Sequence, residues 1–187
     1  LNAPDATTAL VDDVLKADNS PDAKLAAAGV LVSANVTDRA IDLIDQALKG
    51  DLSDNDRVVA TLTKAQANFQ AGDVPAAVEL ARDALLQDET DGTRQFLASM
   101  LVASDERAEG LAMMEKMLSD SPRDTGLMNN LGYAMVDNPA SAEELDDGFR
   151  LLKEASRLAP DEPNLLDSIG WAYYRYGDFR EAQKYLD

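Results

Sequence analysis

Small residues return along this chain at a spacing that a single irregular core would not produce. Ala40, Ala77, Gly110, Gly148 and Ala182 follow one another at intervals of 33 to 38 residues. A second series, Ala28, Ala65, Ala98, Gly132 and Gly170, precedes the first by 12 residues, except that 132 and 148 are 16 apart. A third, Ala47, Ala84, Met117 and Ala155, follows the first by 7 residues each time. Three series in step are not an accident of an Ala-rich chain. A period of this length marks one supersecondary unit that buries its apolar face only by stacking on copies of itself.

The last period shows what the unit is. Leu166, Ile169, Tyr173 and Tyr176 fall on one face of a 3.6-residue helix, Gly177-Asp178 interrupts it, and Phe179, Ala182 and Leu186 begin a second stripe. The unit is a helix, a tight turn and an antiparallel helix, so the fold class is all-α. The units are expected at 21–57, 58–90, 91–124, 125–162 and 163–187, behind an N-terminal helix or half repeat at 1–20. In that first segment Thr7-Thr8 is expected as the N-cap of a helix carrying Leu10, Val11, Val14 and Leu15. In the fourth unit the turn from Asp137 to Leu145 carries the extra residues, either as a docking element or as a tolerated insertion. The chain opens without Met and ends at Asp187 inside a helix, which suggests a piece of a larger protein.

Composition narrows the chemistry. The chain has no His and no Cys, which removes the commonest general base, the commonest metal ligand and any thiolate. Asp51, Ser53, Asn55 and Asp56 resemble the start of a calcium loop, but Asp56 and Leu62 stand where Gly and Glu are needed. The adjacent acid pairs Asp12-Asp13, Glu143-Glu144 and Asp146-Asp147 are expected on solvated helix faces rather than as an acid and base. Met113, Met114 and Met117 are expected in the core. No Gly-rich phosphate loop occurs, so neither a cofactor nor a metal is expected and the chain is not expected to be an enzyme. With 17 basic against 35 acidic residues the net charge is −18, which excludes nucleic acid as a partner and favours a basic or neutral protein segment. No apolar run approaches the ~18 residues that span a membrane.

The unit resembles the tetratricopeptide repeat. The residues that carry the likeness are Leu166, Ile169, Gly170, Tyr173, Gly177-Asp178-Phe179 and Ala182 in the last unit. In the fourth they are Leu131, Gly132, Gly148, Leu152, Ala155 and Pro160. The first three units keep the small residues and lack the aromatics. The resemblance implies a right-handed α-α superhelix of hairpins with a concave groove lined by the first helix of each. It is closest to bacterial repeat proteins of the periplasm or outer-membrane lipoproteins, which makes those compartments the expectation, with the cytoplasm as the alternative.

Carried over by register, the groove would be lined by Asn164, Asp167, Trp171, Tyr174 and Arg175 in the last unit. Asn129, Tyr133 and Val136 would follow in the fourth, Gln95 and Ser99 in the third, and Gln66 and Phe69 in the second. Trp171 and Tyr174 are either anchors for a bound segment or packing for neighbouring helices. One branch of the family grips a C-terminal carboxylate with Lys and Asn. Here the corresponding positions, among them Leu25, Leu62, Gln66, Gln95, Asn129 and Asp167, include no Lys, so that role is not expected. The function implied is a non-catalytic scaffold holding a peptide or protein segment in an acidic groove. The alternatives are a docking arm of an enzyme whose catalytic domain lies elsewhere, and a structural module self-associating through its C-terminal face.

Overall fold

A computed structural model describes residues 3–186, with side chains from 5 to 185. The ends at Leu1 and Asp187, and the side chain of Leu186, lie outside the described residues. The chain divides into two compact units, 1–106 and 107–187. All the regular structure among the described residues is helical.

The first unit holds α1 (Ala3–Ala17), α2 (Pro21–Ser33), α3 (Thr37–Ala47), α4 (Asp54–Gln70), α5 (Val74–Gln87) and α6 (Asp91–Val102). Helix α1 starts upstream of Thr7-Thr8, so these residues lie inside the helix and do not cap it. Pro4 stands in its first turn, where a missing N–H breaks no bond. Val11 of α1 joins Leu25, Leu31, Leu43, Ile44 and Leu52 in one core, with Ala28, Ala40 and Ala47 fully buried between them. Ser20 and Ser53 cap α2 and α4 by accepting from the N–H groups of Ala23 and Asp56 at 3.2 and 3.1 Å.

Within this unit α2 pairs with α3 and α4 with α5. The turns are alike. Asn35 and Gly72 take positive φ (57° and 89°), and the next N–H reaches back to the carbonyl five residues earlier: Val36 to Leu31 and Asp73 to Asn68, both at 2.9 Å.

The second unit holds α7 (Arg107–Asp120), α8 (Thr125–Asp137), α9 (Ala142–Leu158), α10 (Pro163–Arg175) and α11 (Phe179–Leu186). Helix α8 pairs with α9 and α10 with α11, and α10 also packs beside α8. Gly177 repeats the left-handed turn (φ 79°), with Asp178 N–H on the Tyr173 carbonyl at 3.0 Å. Helices α8 and α9 cross where Gly132 and Gly148 meet. A Cβ on either glycine would lie under 3.0 Å from the carbonyl oxygen of the other. Val136, Leu152, Ile169 and Ala172 form the core beside this crossing, and Met128, Ala155 and Leu165 form a second cluster. Of the methionines expected inside, Met114 is buried and Met113 and Met117 are half-buried.

The fourth turn departs from expectation. Only residues 138–141 separate α8 from α9, and the remaining extra residues form an additional N-terminal turn of α9. Ser141 Oγ accepts from Glu144 N–H at 3.1 Å, and Glu144 Oε2 accepts from Ala140 N–H at 2.7 Å. The first bond satisfies an exposed N–H of the first turn, the second ties Glu144 back to the residue before the N-cap, and together they let the helix start early. Glu144 is therefore not on a solvated face: Arg107 Nη2 donates to its Oε1 at 2.5 Å, and both side chains are largely buried.

Candidate functional site

The residues expected in the groove divide between the two units. Gln66 and Phe69 lie half-buried on α4 and Gln95 half-buried on α6, where Ser99 Oγ donates to the Gln95 carbonyl at 3.0 Å. The other eight lie on α8 and α10 of the second unit, and seven of them come together on one face. Residues four apart share a helix face, so Asn129 and Tyr133 line α8, and Asp167, Trp171 and Arg175 line α10. Asn164 and Tyr174 flank the α10 stripe, both exposed.

Val136 does not belong to this face. It is fully buried in the core with Leu152 and Ile169. The stripe on α8 continues instead through Asp137, which sequence reasoning passed over although 129, 133 and 137 are evenly spaced. Asp137 Oδ1 accepts from the Trp171 indole N–H at 3.0 Å, and its backbone carbonyl accepts from Arg175 Nη1. Trp171 stacks on Tyr174 with ring centroids 5.2 Å apart, and Tyr174 meets Phe179 edge-on at 5.4 Å. The Arg175 guanidinium lies 6.0 Å from the Trp171 ring centre. Trp171 is thus half-buried and tied to α8, while Tyr174 stays 49% and Tyr133 40% exposed.

Around Tyr133 the nearby charges are carboxylates, while Arg175 is held by the Asp137 carbonyl at the far end of the face. Burial holds the Tyr133 phenol above its usual pKa, and the carboxylates of Asp137 and Asp167 push it further in the same direction. Asp167 is exposed and makes no hydrogen bond or ion pair among the described residues.

A cavity of roughly 280 Å³ opens one turn toward the N-terminal ends of the same two helices. Thr125, Asn129 and Asn130 of α8 line it, with Glu162, Asn164 and Leu165 at the start of α10. Asn129 Oδ1 is itself enclosed by protein, without a hydrogen-bond partner. Glu162 holds the N-cap position of α10, yet its side chain makes no capping bond. Among the described residues no group of His, Asp or Glu is placed to hold a metal ion, and no helix is long and apolar enough to cross a membrane.

No family model matches the chain. A curated relative, a TPR repeat-containing protein of Pseudomonas aeruginosa, is 30% identical over 168 residues. The match takes in 88% of this chain and 27% of the relative's length. Among solved structures, a thermophilic TPR protein of Thermus thermophilus aligns over 89% of this chain and 88% of its own, with TM-score 0.69 and 21% identity. YrrB, described as a TPR protein with an unusual peptide-binding site, aligns over 95% and 89% with TM-score 0.57 and 17% identity. MamA aligns over 96% and 88% with TM-score 0.53 and 20% identity. These structures share the fold, and the curated relative shares 30% of its sequence over most of this chain. With helical hairpins in step with the recurring small residues, the chain belongs to the tetratricopeptide-repeat family.

Proposed function

We propose that the chain is a non-catalytic interaction module that holds a peptide or protein segment along the face formed by α8 and α10. The observation that carries this reading is the exposed aromatic surface of Tyr133 and Tyr174 set beside the unpaired carboxylate of Asp167. Aromatic rings supply contact area at low entropic cost, and a carboxylate with no partner is free to take one. The net charge of −18 favours a basic segment. The peptide-binding site named for YrrB is a parallel on the same fold. The chain spans about a quarter of the curated relative's length, so the module would serve a longer protein, as a scaffold or as the docking arm of an enzyme.

Tyr133 and Asp167 are the residues to test, because both are exposed and neither holds the core. Probing an immobilised peptide array with the wild type and with Tyr133→Ser/Asp167→Asn should show retention on Lys- and Arg-rich peptides that the variant loses at an unchanged melting temperature. Equal retention by both proteins would overturn the assignment of this face. Self-association through the C-terminal end is the second reading, favoured by Phe179 at 63% exposure beside Tyr174. Light scattering that returns a monomer at high concentration excludes it.

A further inference from the structure

We infer that Asp137, the last residue of α8, is the positioning residue of the interaction face: through the Trp171 indole it sets the ring on which the exposed Tyr174 stacks. This rests on the interaction reading above and concerns how that face is held ready for a partner. Asp137 Oδ1 accepts from the indole N–H at 3.0 Å, while the body of the Trp171 ring packs on the core of Val136, Leu152, Ile169 and Ala172. An apolar wall fixes the plane of a flat ring, and the N–H bond fixes which edge points outward. Tyr174 depends on that orientation. It is 49% exposed and meets two rings, Trp171 stacked at 5.2 Å and Phe179 edge-on at 5.4 Å. Phe179 is itself 63% exposed, so Trp171 is the one of the two that the core anchors.

Arg175 completes the arrangement from the other side. Its Nη1 donates to the Asp137 carbonyl, one of those left without an intrahelical donor at the end of α8, and its guanidinium lies 6.0 Å from the Trp171 ring centre. Expected from the sequence to meet a partner, Arg175 is engaged within the protein. A third bond leaves the end of α10, from the Tyr176 hydroxyl to Asp146 of α9, and the Tyr176 ring packs on Phe149. It joins α10 to α9 through a ring outside the Trp171–Tyr174 stack, which separates a plain tie between helices from the setting of the rings. Rings fixed before a partner arrives lose less conformational freedom on binding it.

Trp171 is the only tryptophan of the chain, so its fluorescence and near-ultraviolet circular dichroism read this stack. Asp137→Ala removes the side-chain acceptor and leaves the carbonyl for Arg175. Its emission should move to the red, acrylamide should quench it more, and the Trp171–Tyr174 dichroism should weaken. Asp137→Asn keeps a neutral acceptor and should stay near the wild type in all three. Tyr176→Phe removes the tie to Asp146 and should leave the tryptophan signals in place. The Lys- and Arg-rich peptides of the array, titrated free in solution against the whole chain, should bind Asp137→Ala about fivefold more weakly than Asp137→Asn, the scale of one hydrogen bond. Both variants lack the carboxylate charge, so their difference reads the bond alone. Unchanged tryptophan signals in Asp137→Ala, the same loss in Tyr176→Phe, or equal peptide affinity of the two Asp137 variants overturns the positioning role. A wild type that retains no peptide overturns the interaction reading instead, and the spectra still decide whether Asp137 sets the rings.

Discussion

Arg107 and Glu144, 37 residues apart, meet through a 2.5 Å bond that ties the first residue of α7 to the first turn of α9. The same Arg107 Nη2 donates to the Ala134 carbonyl at 3.1 Å, near the end of α8. The side chains are 18% and 13% exposed, so removing either partner leaves a largely desolvated charge. Arg107→Met is expected to cost about 2 kcal/mol. Glu144→Gln keeps the cap on Ala140 and should cost less than Glu144→Ala. Urea unfolding of the three variants and of Arg107→Met/Glu144→Gln gives the cycle, and a coupling near zero would contradict the pairing.

Among the helical glycines, Gly29 differs from Gly132 and Gly148, and alanine substitution should tell them apart by sign. A Cβ at Gly148 would lie 2.7 Å from Met135 Cβ and 2.8 Å from the Gly132 carbonyl, while one at Gly132 would lie 2.9 Å from the Gly148 carbonyl. Two backbones cannot separate cheaply, so Gly132→Ala and Gly148→Ala should each destabilise by about 1–3 kcal/mol. That exceeds the ~1 kcal/mol that alanine adds to a helix interior. Gly29, on α2, has nothing within 4 Å of the same position, and Gly29→Ala should raise stability by about 0.5–1 kcal/mol. Melting temperatures moving in the same direction for Gly29 and Gly148 would refute the distinction.

The three equivalent turns give a further test. Asn35 carries φ 57° where Gly72 and Gly177 carry 89° and 79°. Asn tolerates the left-handed region better than most side chains but still meets strain there. Asn35→Gly should be neutral or slightly stabilising, whereas Gly72→Ala and Gly177→Ala should each lose about 1 kcal/mol. Thermal melts that rank the three positions otherwise would show that the turns are not equivalent.

Much of the fold is legible in the sequence because close helix crossings impose residue size. Gly132 and Gly148 are small because their backbones nearly touch, and Ala28 and Ala40 because they are enclosed by larger neighbours. The candidate face is legible only to within one residue. Stepping from Tyr133 to Val136 instead of Asp137 turns the helix by about 100°, enough to exchange a core position for the polar face. The extra turn of α9 is hidden by Asn138-Pro139, which suggests a loop, although Ser141 and Glu144 already stand at capping-box spacing. The Arg107–Glu144 pair leaves no local trace, since nothing in a linear chain says which cation meets a distant carboxylate. The cavity at Asn129 and Glu162 depends likewise on how two helix starts sit side by side.

Tyr133 links the candidate face to pH. Burial raises its phenol, and Asp137 and Asp167 raise it further by disfavouring a phenolate beside them. A proton held more tightly in the folded than in the unfolded chain gives stability that is intact below about pH 10 and is lost as pH rises through the raised value. Tyr173 shifts the same way, mainly by burial and then by Tyr185. Asp167→Asn removes one of the charges acting on Tyr133 and should bring its ionisation back toward lower pH. Asp137→Asn should do the same, while also weakening the acceptor for the Trp171 indole. Phenolate absorbance titrations, with Tyr133→Phe subtracted to isolate the group, measure the change. An unaltered Tyr133 titration in Asp167→Asn would mean that the carboxylate on α10 does not reach the ring on α8, and the acidic face proposed for a basic partner would lose its central pair.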